Sequence, residues 1–416
     1  MTQDIAIVGG GICGLALAIH LHRQGIAAHV FEAAPEIREL GVGITLLPHA
    51  VRELASLGLL DQIEAAGIEN RESAFFNRFG QKLFGEPRGR HAGYPFPEYG
   101  IHRGRLHTIL YLAAKAELGD RIHLDHRLTG LEQDASGVSL SFETTSSAQP
   151  LPPFRASAAI GCDGINSAVR KQFYPAETVA YTGINTWRGV TRRKPILDGR
   201  TYLRIGSILT GKIVIYPIVD DVDGLGDGSG DQLINWIAEI QKGASTRNDW
   251  NTAGRREDFL PIYESFKFDW LDVGALIRDA DTILEYPMVD RDPVERWSFA
   301  RVTLAGDAAH PMYPRGSNGS AQALIDARVL GERLAGGADP VSAFAAYEAE
   351  RRPATTRIVE TNRVSPPDVI NLKVEELTGD RPFENLADFI SQDELRALSD
   401  RYKVVAGFEQ ERVTAS

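Results

Sequence analysis

Gly9-Gly10-Gly11-Ile12-Cys13-Gly14 places glycine at the G-x-G-x-x-G spacing, directly after the apolar run Ile5–Val8 and before a helical pattern. Gly9 permits a tight turn, Gly11 lets the main chain approach a diphosphate, and Gly14 lets the helix pack closely on the strand. The helix start adds free N–H groups and the positive end of a dipole, which suits a phosphate anion. Glu32, eighteen residues after Gly14 at the end of the next strand pattern, is placed to accept hydrogen bonds from an adenosine ribose. Together these residues point to a bound dinucleotide, and they do not separate NAD from FAD.

The separation comes from a second turn. The strand pattern Arg301–Ala305 ends in Gly306-Asp307; a turn rich in Gly, Ser and Asn follows, and a helix pattern begins at about Ser320. Asp307 is suited to hold a hydroxylated chain, and the helix start to stabilise negative charge on a ring above it, as a reduced flavin requires. The bland alternative is an acidic helix cap in an ordinary α/β turn. His310 is the candidate acid or base of this segment, with a packed structural histidine as the alternative.

Composition narrows the partners. The 416 residues carry 56 acidic against 45 basic side chains, a formal charge of -11, and no dense basic run, which argues against nucleic acid. The two cysteines, Cys13 and Cys162, both sit in glycine-rich turns; they read as small residues there, with no metal-ligand set, and fit a reducing compartment. The longest apolar stretch, Ala6–Ile19, is interrupted by four glycines and is too short for a bilayer, and the first strand begins too near Met1 for a leader peptide. The expectation is a soluble, cytoplasmic protein acting on a small molecule.

The elements that must hold these motifs read as follows. Ile5–Val8, a helix over Ile12–Gln24 and a strand over Ala27–Glu32 open a doubly wound α/β unit. Helices are expected over Pro48–Ala66 and Leu106–Leu118, and residues 70–100 leave the nucleotide domain. Strands over Ile122–Leu124, Leu128–Gln133, Val138–Phe142 and Ala156–Gly161 follow, the last ending in Gly161-Cys162-Asp163-Gly164. From Tyr181 to about Val289 the pattern becomes strands (Asn185–Thr191, Thr201–Ile205, Lys212–Ile218, Gln232–Ile240) with a Gly/Asp loop over Asp221–Asp231, an inserted antiparallel sheet. Helices over Ser320–Ala335 and Val341–Glu360 come next, and the last fifty residues give no clear pattern.

The three motifs Gly9/Gly11/Gly14, Asp163-Gly164 with Arg170 following, and Gly306-Asp307 resemble, in order and spacing, the aromatic-ring hydroxylase family. These are single-component flavoprotein monooxygenases that include p-hydroxybenzoate and salicylate hydroxylases. His102-Arg103-Gly104-Arg105-Leu106, Thr186–Thr191, Tyr216-Pro217-Ile218, Tyr286–Pro293 and Met312–Gly319 are similar to a subgroup, the pyocyanin-forming phenazine carboxylate monooxygenases, over most of the chain to about Arg363. The resemblance implies FAD held by Glu32, Arg103, the Leu128 backbone near adenine, Asp163 and Asp307, with Gly43, Asn318, Gly319, Ser320 and Ala321 near the isoalloxazine. For Arg103 a surface cation at a helix start is the alternative; for Asp163 and Arg170 it is a structural cap and its ion pair. The family's commoner flavin turn is G-Q-G-x-N, and Ser317–Ala321 lacks its terminal Asn. Trp187, Tyr216 and Pro217 are expected at the substrate cavity, the alternative being core, and Arg188 or Arg204 could orient a substrate anion.

The fold expected is α/β: a Rossmann-like FAD-binding domain (residues 1–70, 101–180 and 290–363), an inserted antiparallel-sheet substrate domain (71–100 and 181–289) and a C-terminal segment (364–416). The implied activity is hydroxylation of an aromatic or N-heterocyclic substrate with NADH or NADPH and O2, through a flavin C4a-hydroperoxide, with or without loss of a ring carboxylate, by a monomer or homodimer. Rivals are a Baeyer-Villiger or epoxidising monooxygenase, an NAD-dependent dehydrogenase, which has no use for the second motif, and a non-enzymic flavin-binding protein.

Overall fold

In the computed structural model, residues 4–39, 41–226, 230–241, 252–364 and 369–406 are described. Ile5–Val8 is apolar at every position and buried at every position, as a strand covered on both faces must be. It pairs in parallel with Ala28–Phe31 on one side and Ala158–Gly161 on the other, and Ile122–His123 and Val302–Leu304 extend the parallel set outward. Ser298–Phe299 adds an antiparallel edge, making six strands. The chain first builds outward through Ala28–Phe31 and later returns to the opposite side of Ile5–Val8. The order therefore reverses there, and open parallel sheets bind ligands in the crevice beyond the strand C-termini at such a point. Helices Ile12–Arg23, Arg103–Leu118 and Gly319–Leu334 cover the sheet, and the antiparallel meander Arg127–Asp134, Gly137–Glu143 and Pro150–Ala156 shares the same core.

A second sheet has eight strands. In spatial order they are Thr252–Ala253, Ile283–Asp290, Ala180–Arg193, Gln232–Gln241, Gly211–Val219, Thr201–Ser207, Glu72–Phe76 and Lys82–Pro87. It is antiparallel except where Glu72–Phe76 lies parallel to Thr201–Ser207. That strand comes from a distant part of the chain, so no hairpin sets its direction. One face of the sheet packs Leu203, Ile205, Ile213, Ile215 and Trp236 under helices Leu260–Tyr263 and Val273–Arg278. The other face carries Tyr202, Val214, Tyr216 and Ile218. It meets a small sheet of Gly43–Leu46, Tyr99–His102 and Gly67–Glu69, where Gly100 lies against Tyr216 and the Pro217 carbonyl.

Three elements differ from expectation. Pro48–Ala66 is two helices, Pro48–Ser56 and Leu60–Ala66, because Gly58 takes φ 70° between them. The helix expected from Leu106 begins at Arg103, and the helix expected over Val341–Glu360 runs from Pro340 to Val364. The unassigned tail forms helices Val369–Thr378 and Gln392–Ala406, whose Ile370, Val374 and Leu395 pack on Phe75, Leu83 and Phe84 of the second sheet. Parts of the Asp221–Asp231 loop and of the C-terminal segment lie outside the described residues. Among the described residues no helix is long and apolar enough to cross a membrane.

Candidate functional site

The three glycines of the first turn are constrained by different things. Gly9 has φ 105°, and a Cβ there would sit 2.5 Å from the Cys162 carbonyl oxygen; a Cβ on Gly14 would collide with the Gly9 carbonyl. Gly11 would meet no protein atom within 4 Å. Folding thus accounts for Gly9 and Gly14, and the open space beside Gly11 suits a diphosphate against the main chain. The helix Ile12–Arg23 has neither a side-chain cap nor an acidic residue in its first turn, so its start is an anion site. Glu32 accepts the Gly10 N–H at 2.7 Å and the Ala34 N–H at 2.8 Å, which fixes the carboxylate while each oxygen keeps a further lone pair. Leu128 pairs with Phe142, whose ring stacks at 4.4 Å on Phe31, the residue before Glu32. His107, which the sequence reading passed over, places Nε2 2.6 Å from the Gly10 carbonyl oxygen.

Gly306 has φ 58° and packs on Cys13, so the second turn closes onto the first. Asp307 opens into the crevice, and among the described residues its carboxylate has no hydrogen-bond partner. Desolvation by the surrounding protein raises its pKa, while His310 and Arg103 pull it partway back. Arg103 is exposed at the first position of its helix, held by its N–H to the Val42 carbonyl at 3.0 Å. His310 is buried, with Nε2 2.6 Å from Asp326; Asp326 also accepts Arg351 at 2.7 Å and the Gly306 N–H at 3.0 Å. Burial would raise the Asp326 carboxyl, but His310 and Arg351 outweigh it and hold the group well below the usual range. His310 therefore ends in a buried ionic network that supports the Gly306 turn from behind.

Asp163 and Arg170 act on the same turn. Both Asp163 oxygens engage the start of the helix Ala168–Phe173, through the Ser167 hydroxyl and the Val169 N–H at 3.1 Å. Arg170 does not pair with Asp163, the partner considered for it. It pairs with Glu177 and donates to the Ala308 and Ala309 carbonyls at 3.0 and 2.8 Å. The D-G segment thereby clamps the backbone next to Asp307.

Gly43 donates its N–H to Asn235 Oδ1 at 2.7 Å, and a Cβ there would press on Ile218 and Asn235 at 2.7 and 2.8 Å. Asn235 is a fully buried polar residue flanked by Ile234 and Trp236 in its strand, a signal that sequence reading missed. Asn318 lies buried against His49, with its Oδ1 2.8 Å from Nε2. Gly319, Ser320 and Ala321 open a helix that lacks a side-chain cap and an acidic first turn, and Gly319 lies beside Asp307. A diphosphate cradle, a braced ribose acceptor, a carboxylate in the crevice and an uncapped helix start fit FAD.

The substrate side needs one correction. Trp187, expected at the cavity, is fully buried in the second core, stacked on Phe259 at 4.8 Å and 13°. Strand alternation sends Trp187 under the helices and its neighbour Arg188 to the opposite face. Tyr216 does face the small sheet that carries Gly43, stacked on Tyr202 at 4.9 Å, and Pro217 reaches Gly100 through its carbonyl. Among the described residues no group of three or more His, Cys, Asp or Glu is placed to hold a metal ion.

Two nucleotide-type turns, far apart in the chain, close on one crevice, which sets a flavoprotein apart from a dehydrogenase with a single turn. The chain belongs to the FAD binding domain family, whose model matches residues 2–197 and 282–362. It is 40% identical over 366 residues to the phenazine 1,6-dicarboxylic acid hydroxylase PhzS of Lysobacter antibioticus, covering 86% of this chain and 89% of that one. It is 30% identical to the 3-hydroxybenzoate 6-hydroxylase of Polaromonas naphthalenivorans, covering 86% of each. The fold matches Klebsiella pneumoniae HpxO complexed with FAD and uric acid (TM-score 0.75, 22% identity, 99% of this chain and 97% of that one). It also matches a salicylate hydroxylase substrate complex (TM-score 0.73, 18% identity, 99% and 97%). The protein is an FAD-dependent monooxygenase of the aromatic hydroxylase type.

Proposed function

We propose that the protein hydroxylates a planar aromatic or N-heterocyclic ring bearing carboxylate, in the phenazine carboxylate class, with O2 and with NADH or NADPH as reductant. The observation that carries the reading is the 40% identity to a phenazine dicarboxylate hydroxylase over 86% of the chain. The aromatic sheet face around Tyr202 and Tyr216, next to Gly43, supports it. In this reading residues 1–70, 101–180 and 290–363 bind the cofactor, 71–100 and 181–289 bind substrate, and 364–416 brace the substrate sheet.

Bound FAD would supply hydride acceptance and oxygen activation, chemistry no side chain here provides. The chain's own residues bind, orient and exclude water. Gly9, Gly11 and Gly14 admit the diphosphate to the helix start, and Glu32 accepts the ribose hydroxyls. Asp307 holds the hydroxylated chain of the cofactor, with Arg103 nearby. The Gly319, Ser320 and Ala321 N–H groups meet negative charge that develops on the ring, in a site that the second sheet shields from water. Hydroxylation with loss of CO2 and hydroxylation alone use this same arrangement.

The test is to supply the FAD-loaded enzyme with NADH or NADPH and a series of aromatic and heteroaromatic carboxylates, following nucleotide oxidation and product mass. Gain of oxygen, with or without loss of CO2, is expected for one ligand class. If every ligand yields only peroxide, the substrate class is wrong.

A further inference from the structure

The C-terminal helix Gln392–Ala406 delivers one side chain to the second nucleotide turn. Tyr402 is 5% exposed, and its ring lies so close to Gly316 that a Cβ on Gly316 would coincide with the Tyr402 hydroxyl. The hydroxyl donates to Asn362 Oδ1 at 2.9 Å, and the Asn362 amide donates in turn to the Tyr313 carbonyl at 3.2 Å. The ring also packs on Leu47, which precedes the helix Pro48–Ser56; His49 of that helix meets Asn318 Oδ1. Tyr402 thus reaches both arms of the turn 313–318, through Gly316 and Asn362 on one side and through the His49 helix on the other.

That turn needs an external hold. Ser317, next to Gly316, takes φ 54°, a left-handed backbone that a residue with a Cβ adopts at a cost and keeps only where its surroundings dictate it. Gly319 then begins a helix that has no side-chain cap and whose start lies beside Asp307. A small rotation at Ser317 would re-aim the first N–H groups of this helix, because only Asn318 lies between them. Tyr402 itself is held from behind: Ser399 and Lys403, on its own helix, both donate to Glu86 of the second sheet, at 2.8 and 2.7 Å.

We infer that Tyr402 is a positioning residue for the flavin ring: it fixes the turn that aims the Gly319, Ser320 and Ala321 N–H groups, so that the C-terminal helix sets how strongly the site favours the reduced cofactor. Donors aimed in advance at developing negative charge stabilise it most when they need not rearrange. The inference rests on the proposed placement of the flavin ring at that helix start, and goes beyond it by making a residue of the tail part of the same device.

The experiment measures the two-electron midpoint potential of FAD bound to the full-length protein, with thermal melts alongside. Tyr402→Phe keeps the ring on Gly316 and removes only the hydroxyl bonded to Asn362. It should weaken the preference for reduced over oxidised FAD by about tenfold, a fall of about 30 mV. Asn362→Ala should lower the potential at least as far, and the double variant should match Asn362→Ala alone. Lys403→Met loosens the same helix from Glu86 without touching the turn; it should melt lower and keep the wild-type potential. Ser320→Asp checks the placement of the ring, because an anion in the first turn suits the helix but opposes negative charge on the flavin, and it should lower the potential. Tyr402→Phe at the wild-type potential, additive shifts in the double variant, or an equal fall in Lys403→Met would overturn the role of Tyr402. If Ser320→Asp lowers the potential and Tyr402→Phe does not, the flavin placement stands and the positioning role falls. If Ser320→Asp leaves the potential unchanged, the placement itself is wrong and the inference falls with it.

Discussion

A Cβ on Gly11 meets no protein atom within 4 Å, whereas one on Gly14 collides with the Gly9 carbonyl. Gly11→Val should therefore leave the melting temperature of the FAD-free protein near wild type while lowering FAD affinity by about tenfold or more, since the added methyls fill the diphosphate's space. Gly14→Ala should destabilise the FAD-free protein by about 1–3 kcal/mol through overpacking. Melts with and without FAD separate the two. His49 gives a pH prediction. Burial lowers its pKa from 6.5 to about 4, only partly opposed by the bond to Asn318. The unfolded chain takes up a proton on acidification before the folded one does, so stability is full above about 6.5 and is lost towards pH 4. The two values span about 3 kcal/mol at about 1.4 kcal/mol per pKa unit. His20, His29 and His123 are lowered too and add to the wild-type slope. The test is thus the difference in urea midpoints between wild type and His49→Gln from pH 7 to about pH 4.5; the variant should fall less steeply.

The short helix Ala168–Phe173 matters because it carries Arg170 to the second nucleotide turn. Arg170→Met leaves Glu177 without its main partner and frees the Ala308 and Ala309 carbonyls; losing one member of a buried pair costs about 3–5 kcal/mol. The variant should melt lower and release FAD more readily, in step with displacement of the Asp307 turn. A melt unchanged from wild type would contradict this role. At this scale the sequence was a partial guide. Four buried apolar residues in Ile5–Val8 announce a central strand by composition alone. The break at Gly58 was invisible because Val51, Leu54, Leu57 and Leu60 keep helical spacing across it.

For the molecule as a whole, the C-terminal helices join the tail to the second sheet. Removing residues 365–416 would expose Phe75, Leu83 and Phe84 by stripping away Ile370, Val374, Ile390 and Leu395. It would also free Glu86 from Ser399 and Lys403. Each lost aliphatic contact is worth up to about 1.5–3 kcal/mol, so the truncated protein should be several kcal/mol less stable and prone to association. Denaturation midpoints and light scattering measure both effects. A truncated protein as stable and monodisperse as the full chain would show that the tail does not brace the sheet. The tail's polar composition hid this role, because the surface it covers is supplied by residues some three hundred positions earlier, as in Gln392 to the Leu83 carbonyl.

What the sequence determined by itself is the cofactor chemistry. Binding a diphosphate or a flavin ring needs a main chain without Cβ atoms, a free helix start and an acid at fixed spacing, all local properties written in consecutive residues such as Gly9–Gly14 and Gly306-Asp307. What only the tertiary structure decided is which side chains face that cofactor. Trp187 and Arg188 are neighbours in sequence, yet one is core and the other lines the inner face, because strand register and the layer covering each face are set by distant chain. The same holds for Arg170 and His310, polar residues whose partners, Glu177, the Ala308 and Ala309 carbonyls and Asp326, are fixed only when the two nucleotide turns close on one another.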